Sequence, residues 1–324
     1  MLRRRRGLIA AVLIGLGLAG PAQAQSYPSR PIKLIVATLP GGPIDVMGRL
    51  IAQHLSTTLG QVIVENRAGA GTTLGAKAVA NAEPDGYTLL LGNAATLAIG
   101  PTLYKNAGYD PLTSFVPVAF LSSVPYVMIV SPAVPVQTVP ELVAYAKAHQ
   151  GKLSFGVPNA APPHMLAAWF KALTGTDIVI VPYKGASAVF IDMLGGRIQA
   201  GFETTSVVFG HLQEGKIKAL AVATPARLPA LAQVPTMIES GFPDFIGSSW
   251  TSVMAPAGTP RDIVGKLNGA INAGINSPQM QARFRELAAD ARPGTPDEVA
   301  AFIANEIPRW QAMTKLVGIS ATNE

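Results

Sequence analysis

Two short loops in this chain present backbone chemistry. Thr38-Leu39-Pro40-Gly41-Gly42-Pro43-Ile44-Asp45 joins an apolar run to a helical pattern. Gly41 and Gly42 can expose peptide N–H groups with no side chain in the way. Pro43 suits a first helical position. Asp45 falls in the first turn, where a carboxylate complements the helix dipole and can also accept from loop amides. Free N–H groups at a helix start attract anions. The same stretch also reads as an ordinary strand-to-helix turn with its cap. A matching turn lies at Val157-Pro158-Asn159-Ala160-Ala161-Pro162-Pro163-His164. Its available amides are those of Asn159, Ala160, Ala161 and His164, because proline donates nothing. His164 either contacts a ligand or decorates the first helical turn. Glu203 ends an apolar run beside Thr204 and Thr205, where it could meet a cation or a hydroxyl or stand as a strand-end carboxylate. Trp250 reads equally as a ligand platform or as packing.

Reactive side-chain chemistry has little to build on. The chain has no cysteine, which excludes disulfides, thiol nucleophiles and thiolate metal sites. Its four histidines, at 54, 149, 164 and 211, form no pair at metal-ligand spacing. The nucleophile elbow, the phosphate-binding P-loop and the zinc-protease helix motif are all missing from the sequence. No catalytic residue, metal or cofactor is expected. Gly69-Ala-Gly-Thr-Thr-Leu-Gly75 resembles a dinucleotide loop but has the wrong glycine spacing and no acidic residue closing a following strand. Close helix–sheet packing is the reading that remains.

The elements that must position these loops follow from periodicity. Ile32–Val36, Val62–Glu65 and Thr88–Leu91 read as strands, with helical patterns at Met47–Leu55 and Leu74–Ala80 between them. The same strand–helix alternation restarts at Val127–Val130 and continues through strands at Ser154–Val157, Ile178–Val181, Ala200–Glu203 and Ala219–Ala223. Helices are expected over Glu141–His149, His164–Leu173, Ala188–Leu194, Arg261–Ala273, Pro278–Ala289 and Pro296–Val317. This is the grammar of α/β architecture with a mostly parallel sheet. Two extended, proline-marked segments, Phe115–Pro125 and Gly247–Pro256, read as crossings between two α/β lobes. The expected division is an outer lobe of 25–123 and 251–324, an inner lobe of 124–250, and a cleft between them.

Residues 1–24 combine Arg3–Arg6, an apolar run from Leu8 to Ala19, and Ala22-Gln23-Ala24. This is the pattern of a cleavable secretory signal. The alternative is an uncleaved anchor, which Pro21 and Gln23 weaken. Export to a bacterial periplasm disfavours cytosolic cofactor chemistry. The formal net charge is +6, but four of the 25 basic residues sit in this leader. Twenty-one bases against 19 acids leave +2, so the basicity expected of a nucleic-acid-binding surface is absent. No uncharged apolar run past the leader is long enough to span a bilayer.

Several motifs in fixed order carry a family resemblance across essentially the whole exported chain. They are Tyr27–Val36 with its Pro-Gly-Gly loop, Glu65-Asn-Arg-Ala-Gly-Ala-Gly71 and Pro84-Asp-Gly-Tyr-Thr-Leu-Leu-Leu-Gly92. Further on stand Tyr109-Asp-Pro111, Val181-Pro-Tyr-Lys-Gly185, Leu194-Gly-Gly196, Gly215–Val222 and Ala255-Pro-Ala-Gly-Thr-Pro260. The chain resembles the tripartite tricarboxylate transporter substrate-binding receptors, also called Bordetella uptake gene (Bug) proteins.

That resemblance implies a class II periplasmic-binding-protein fold closing on a small organic carboxylate, gripped by backbone amides and water. By position, the gripping loops are 38–45, with Leu39, Gly41, Gly42 and Asp45, and 157–164, with Asn159, Ala160, Ala161 and His164. Asn93, Thr96, Glu203 and Thr204 would line the rest. Many relatives place Gly and Ser or Thr where Asn159-Ala-Ala-Pro-Pro163 stands here, so hydroxyl donors are lost from the second loop. The implied partners are the integral-membrane permease subunits of a tripartite transporter, with the receptor a monomer. A membrane sensor domain is the alternative partner, and a periplasmic hydrolase the remaining reading. Dicarboxylates, aromatic acids, nicotinate-like acids and amino acids all fit, with Glu203 pointing to an amine or a hydroxyl.

Overall fold

The computed structural model describes residues 27–104, 106–159, 161–286 and 289–317. The leader at 1–24 and Ala160 lie outside the described residues. β1 (Ile32–Val36) is apolar at four of its five positions, and those four are buried. α1 (Pro43–Thr58) returns over the sheet with Met47, Ile51 and Leu55, four residues apart, in the core. β2 (Val62–Asn66) pairs in parallel with one side of β1, and β3 (Thr88–Asn93) with the other. Between them α2 (Thr73–Ala80) sits close to the sheet. A Cβ on Gly75 would stand 2.8 Å from Ala37 Cβ and 2.9 Å from the Arg67 carbonyl. The glycines of this segment therefore serve packing. A wide π-type turn at Ala95–Ile99 leads into α3 (Gly100–Leu103).

β4 (Phe115–Val130) is 16 residues long and serves two groups of strands. Through Phe115–Pro125 it pairs antiparallel with β9 (Ser248–Pro256), and β9 pairs antiparallel with β3. Through Tyr126–Val130 it pairs antiparallel with β7 (Ala200–Thr204) and β8 (Lys218–Val222). Beyond β7 lie β5 (Ser154–Pro158) and β6 (Val179–Tyr183), all parallel. The path runs β2-β1-β3-β9-β4-β7-β5-β6, with the short β10 (Asp290–Ala291) also on β4. The sheet is thus not mostly parallel. Parallel pairs occupy the two flanks, where helical crossovers connect the strands, and the centre is antiparallel because both crossing segments are themselves strands.

Helices α4 (Val139–Ala148), α5 (Pro162–Thr174), α6 (Ala186–Leu194) and α7 (Thr205–Gln213) cover the β5–β7 side. The chain ends its described part in α8 (Arg261–Ile275), α9 (Pro278–Glu286) and α10 (Pro296–Val317). α10 packs on both α5 and β4. Its Ile303, Ile307 and Trp310 share one buried cluster with Met165 and Leu166 of α5 and with Trp250 of β9. Trp250 is wholly inaccessible, and its indole N–H donates to Glu306 Oε2 at 3.0 Å. It is a packing residue. Among the described residues no helix is long and apolar enough to cross a membrane.

Candidate ligand cleft

A cavity of about 540 Å³ opens where three helices begin. Gly41 and Ile44 reach it from the start of α1, Ala161 and Pro162 from the start of α5, and Thr204 and Ser206 from the start of α7. These helices follow β1, β5 and β7. The cavity therefore lies beyond the carboxyl ends of strands, where α/β sheets place ligands. Ser122, Val124 and Tyr126 of β4 form one wall together with Ser249 and Thr251 of β9. Ser122 and Thr251 bond hydroxyl to hydroxyl at 2.8 Å.

The first loop is tightly self-bonded. Gly41 has φ +85°, a left-handed conformation that favours glycine, and its N–H donates to Asp45 Oδ2 at 2.9 Å. The same oxygen accepts from Arg49 Nε at 2.9 Å, and Asp45 Oδ1 accepts from Asn66 Nδ2 at 2.8 Å. Asn66 Nδ2 also donates to the Thr38 carbonyl at 3.1 Å. The Arg49 bond, with support from Gly41 and Asn66, lowers the Asp45 pKa to about 2 against the opposing effect of burial. Asp45 is thus the internal brace of the loop, and the Gly41 amide is engaged by it. Gly42 is the extended N-cap, and the helix ladder begins with Val46 N–H to the Gly42 carbonyl at 3.0 Å. The N–H groups of Gly42, Ile44 and Asp45 precede that ladder. Leu39 is 73% exposed and stands outside the cavity wall.

In the second loop, Asn159 N–H donates to the Tyr183 carbonyl at 2.8 Å, continuing the β5–β6 ladder. His164 N–H donates to the Ala161 carbonyl at 2.9 Å. The His164 ring is buried in the first turn of α5, and that burial lowers its pKa. Ala161, the extended N-cap, lines the cavity; Asn159 and His164 are not among its lining residues. Asn93 and Thr96 are also buried away from the wall. Asn93 Oδ1 accepts from the Thr96 N–H at 2.9 Å and from its hydroxyl at 3.0 Å, and the Tyr109 hydroxyl donates to the Thr96 carbonyl.

Glu203 and Thr204 do reach the cavity. Glu203 is 8% exposed, and its Oε1 accepts from Thr204 N at 2.8 Å and from Thr204 Oγ1 at 3.3 Å. Burial raises its pKa, and the two Thr204 bonds pull the other way. Of the residues expected at the site, the cavity therefore gathers Gly41, Ala161, Glu203 and Thr204. Sequence reading had missed Ser122, Val124 and Tyr126, and Ser249 with Thr251. Alternation was the available signal, because residues two apart on a strand share a face. Glu286 of α9 also lines the cavity; its carboxylate is bonded to the Arg283 guanidinium. Among the described residues no three acids or histidines group as a metal site.

Residues 47–319 match the profile of the tripartite tricarboxylate transporter family receptor. The chain belongs to that family. It is 39% identical over 319 residues to protein BugT of Bordetella pertussis strain Tohama I, covering 97% of this chain and 98% of the relative. A solved R. palustris protein with adipate is 35% identical and superposes with a TM-score of 0.78 over 91% of this receptor and 99% of its own chain. MatC of Rhodopseudomonas palustris, with bound malate, is 31% identical with a TM-score of 0.75, covering 89% and 100%. The receptor therefore has the two-lobed α/β fold of periplasmic binding proteins that its sequence resembles.

Proposed function

We propose that this receptor works outside the cytoplasm, takes a small organic carboxylate into the 540 Å³ cleft, and presents it to the permease subunits of a tripartite transporter. The observation that carries this reading is the position of both loops. The starts of α1 and α5 line one cavity, and α7 begins at the same place. The outer lobe comprises 25–123 and 251–324 and the inner lobe 124–250, with β4 and β9 as the hinge. The leader at 1–24 is the export signal.

The carboxylate is held by the amides that precede the helix ladders, those of Ile44 and Ala161, which line the cavity, and that of Gly42, which does not line it but stands between the lining residues Gly41 and Ile44. Leu39, Gly41, Asp45, Asn159 and His164 shape the loops around them, and Asn93 and Thr96 brace the neighbouring turn. Each charge-assisted bond is worth about 1.5–3 kcal/mol, and micromolar binding requires about 8 kcal/mol net. Three such bonds supply about 4.5–9 kcal/mol, and burial of the ligand body against the wall has to offset the cost of association.

Two substitutions at one residue test the amide cradle. Gly42 has φ −78°, which proline can adopt, and a Cβ there would meet only the Leu39 carbonyl at 3.9 Å. Gly42→Pro deletes the N–H; Gly42→Ala keeps it. Calorimetry against a panel of carboxylates, adipate and malate included, should show binding by the parent and the alanine variant. The proline variant should bind at least tenfold more weakly. Equal affinity in all three would refute the amide cradle, and no carboxylate binding to the parent would refute the receptor function.

A further inference from the structure

The charges on the cleft wall are unusual for an anion site. None of its described lining residues is Lys, Arg or His, whereas Glu203 and Glu286 both line it. Glu286 is balanced by the Arg283 guanidinium. Glu203 has no such balance, since no ion pair among the described residues includes it. Its Oε1 is engaged by Thr204, and its Oε2 has no hydrogen-bond partner among the described residues. The residue is 8% exposed and lines the cavity, so a largely buried side chain offers this unengaged oxygen to whatever enters it.

A buried carboxylate lacking a counter-charge is destabilising, and each such group in a folded protein calls for a physical explanation. A second carboxylate brought beside it would add like-charge repulsion in a poorly screened site. A protonated nitrogen would remove the penalty, because an ammonium is a donor only and matches an acceptor that nothing else fills. The cavity lining elsewhere is largely apolar, with Ile44, Val46, Met47, Val124 and Val207, while the hydroxyls of Thr204 and Ser206 lie on the same segment as Glu203.

We propose that Glu203 selects the ligand's charge, and that the receptor's ligand is a zwitterion whose carboxylate lies at the helix starts and whose ammonium donates to Glu203 Oε2. An aliphatic or aromatic body fills the apolar wall, as in a hydrophobic amino acid. This rests on the carboxylate-receptor reading above and narrows it.

Matched acids provide the test. Leucine and 4-methyl-2-oxopentanoate share a skeleton and differ in the amine, as do phenylalanine and phenylpyruvate. 6-Aminohexanoate and adipate differ in the charge at the far end. Affinities are measured by calorimetry on the parent protein and on Glu203→Gln, with circular dichroism as the check of folding. The parent should bind the amine-bearing member of at least one pair tenfold or more tighter than its counterpart. Glu203→Gln should bring that ratio to near one. If the parent binds adipate, malate or the amine-free acids as tightly or more tightly, the zwitterion assignment is overturned and the receptor function stands. An amine preference that survives in Glu203→Gln overturns the role of Glu203. If neither these pairs nor any other carboxylate binds the parent, the receptor function falls and this inference with it.

Discussion

Replacing Asp45 by asparagine should loosen the first loop by an amount the hydrogen bonds define. The carboxylate accepts from the Gly41 N–H at 2.9 Å and from Asn66 Nδ2 at 2.8 Å, one bond on each oxygen. Bonds to a charged acceptor contribute about 1.5–3 kcal/mol each, and neutral ones roughly half as much. Asparagine keeps one acceptor oxygen and turns an NH₂ group toward the other donor, leaving that donor unsatisfied. The third bond, from Arg49, joins a guanidinium side chain that is 54% exposed and screened by solvent, so it is left out of the sum. The expected loss is about 3 kcal/mol, or about 5 °C in Tm for a chain of this size.

The pH dependence of that loss has a definite sign. Asp45 has a folded pKa of about 2 against an ordinary 3.8. Its contribution is complete above about pH 4 and disappears as the pH falls through about 2. The gap between parent and Asp45→Asn in urea or thermal unfolding should therefore be full at pH 7 and shrink between pH 4 and 2. A gap below about 0.5 kcal/mol at pH 7 would refute the brace, as would one that stays constant down to pH 2.

Three further outcomes follow from packing and burial. Gly75→Ala places a Cβ 2.9 Å from the Arg67 carbonyl, a backbone atom that cannot rotate away, and should cost about 1–3 kcal/mol in urea unfolding; a neutral result would show that α2 can shift off the sheet. Glu306→Ala strips the acceptor from the Trp250 and Trp310 indoles, which donate at 3.0 and 2.8 Å, and from Arg309 at 2.7 Å. The loss should be about 3–5 kcal/mol, with a change in tryptophan fluorescence; an unchanged spectrum argues against the shared carboxylate. Glu203→Gln should stabilise the ligand-free protein at pH 7–8, because a folded pKa raised above the ordinary 4.5 makes the parent lose stability as pH rises through that interval. The gain should vanish near pH 4, where the parent carboxyl is protonated in both states; a gain equal at both pH values would mean that burial of charge is not its source.

The elements were legible where one face carries the signal. β1 and α10 stand where periodicity puts them, and the two proline-marked crossings are the central strands β4 and β9. α7 was not read as a helix. Thr205, Val207 and Val208 are β-branched and Gly210 is a poor helix former, so local propensity is weak there. Burial of Val208 in the cluster of Val127 and Ile129 compensates for that weakness. At the cleft, sequence shows which N–H groups exist but not which are engaged. The Gly41 amide goes to a side chain four residues on, and the Asn159 amide to the carbonyl of Tyr183, 24 residues away. Asn93 and Thr96 have the chemistry of ligand donors, yet they satisfy each other, because Asn93 Oδ1 takes both Thr96 donors.

The converging helix starts explain how a wall without side-chain cations can face an anion. Each helix N-terminus carries roughly +0.5 of an elementary charge, spread over N–H groups that are fixed before any ligand arrives. α1, α5 and α7, of 16, 13 and 9 residues, all begin at the cavity. The strand directions require this: β1 runs parallel to β4 and β5 and β7 run antiparallel to it, so the carboxyl ends of the two groups face each other near Pro125 and Tyr126 of β4. A backbone cradle of this kind does not depend on side-chain identity, so it tolerates the change to Ala161-Pro162-Pro163 in the second loop. Selection then falls to side chains on the wall, where β4, β7 and β9 place Tyr126, Glu203 and Ser249. On the proposed reading, a single exchange at Glu203 alters which acid is held while leaving intact the means of holding it.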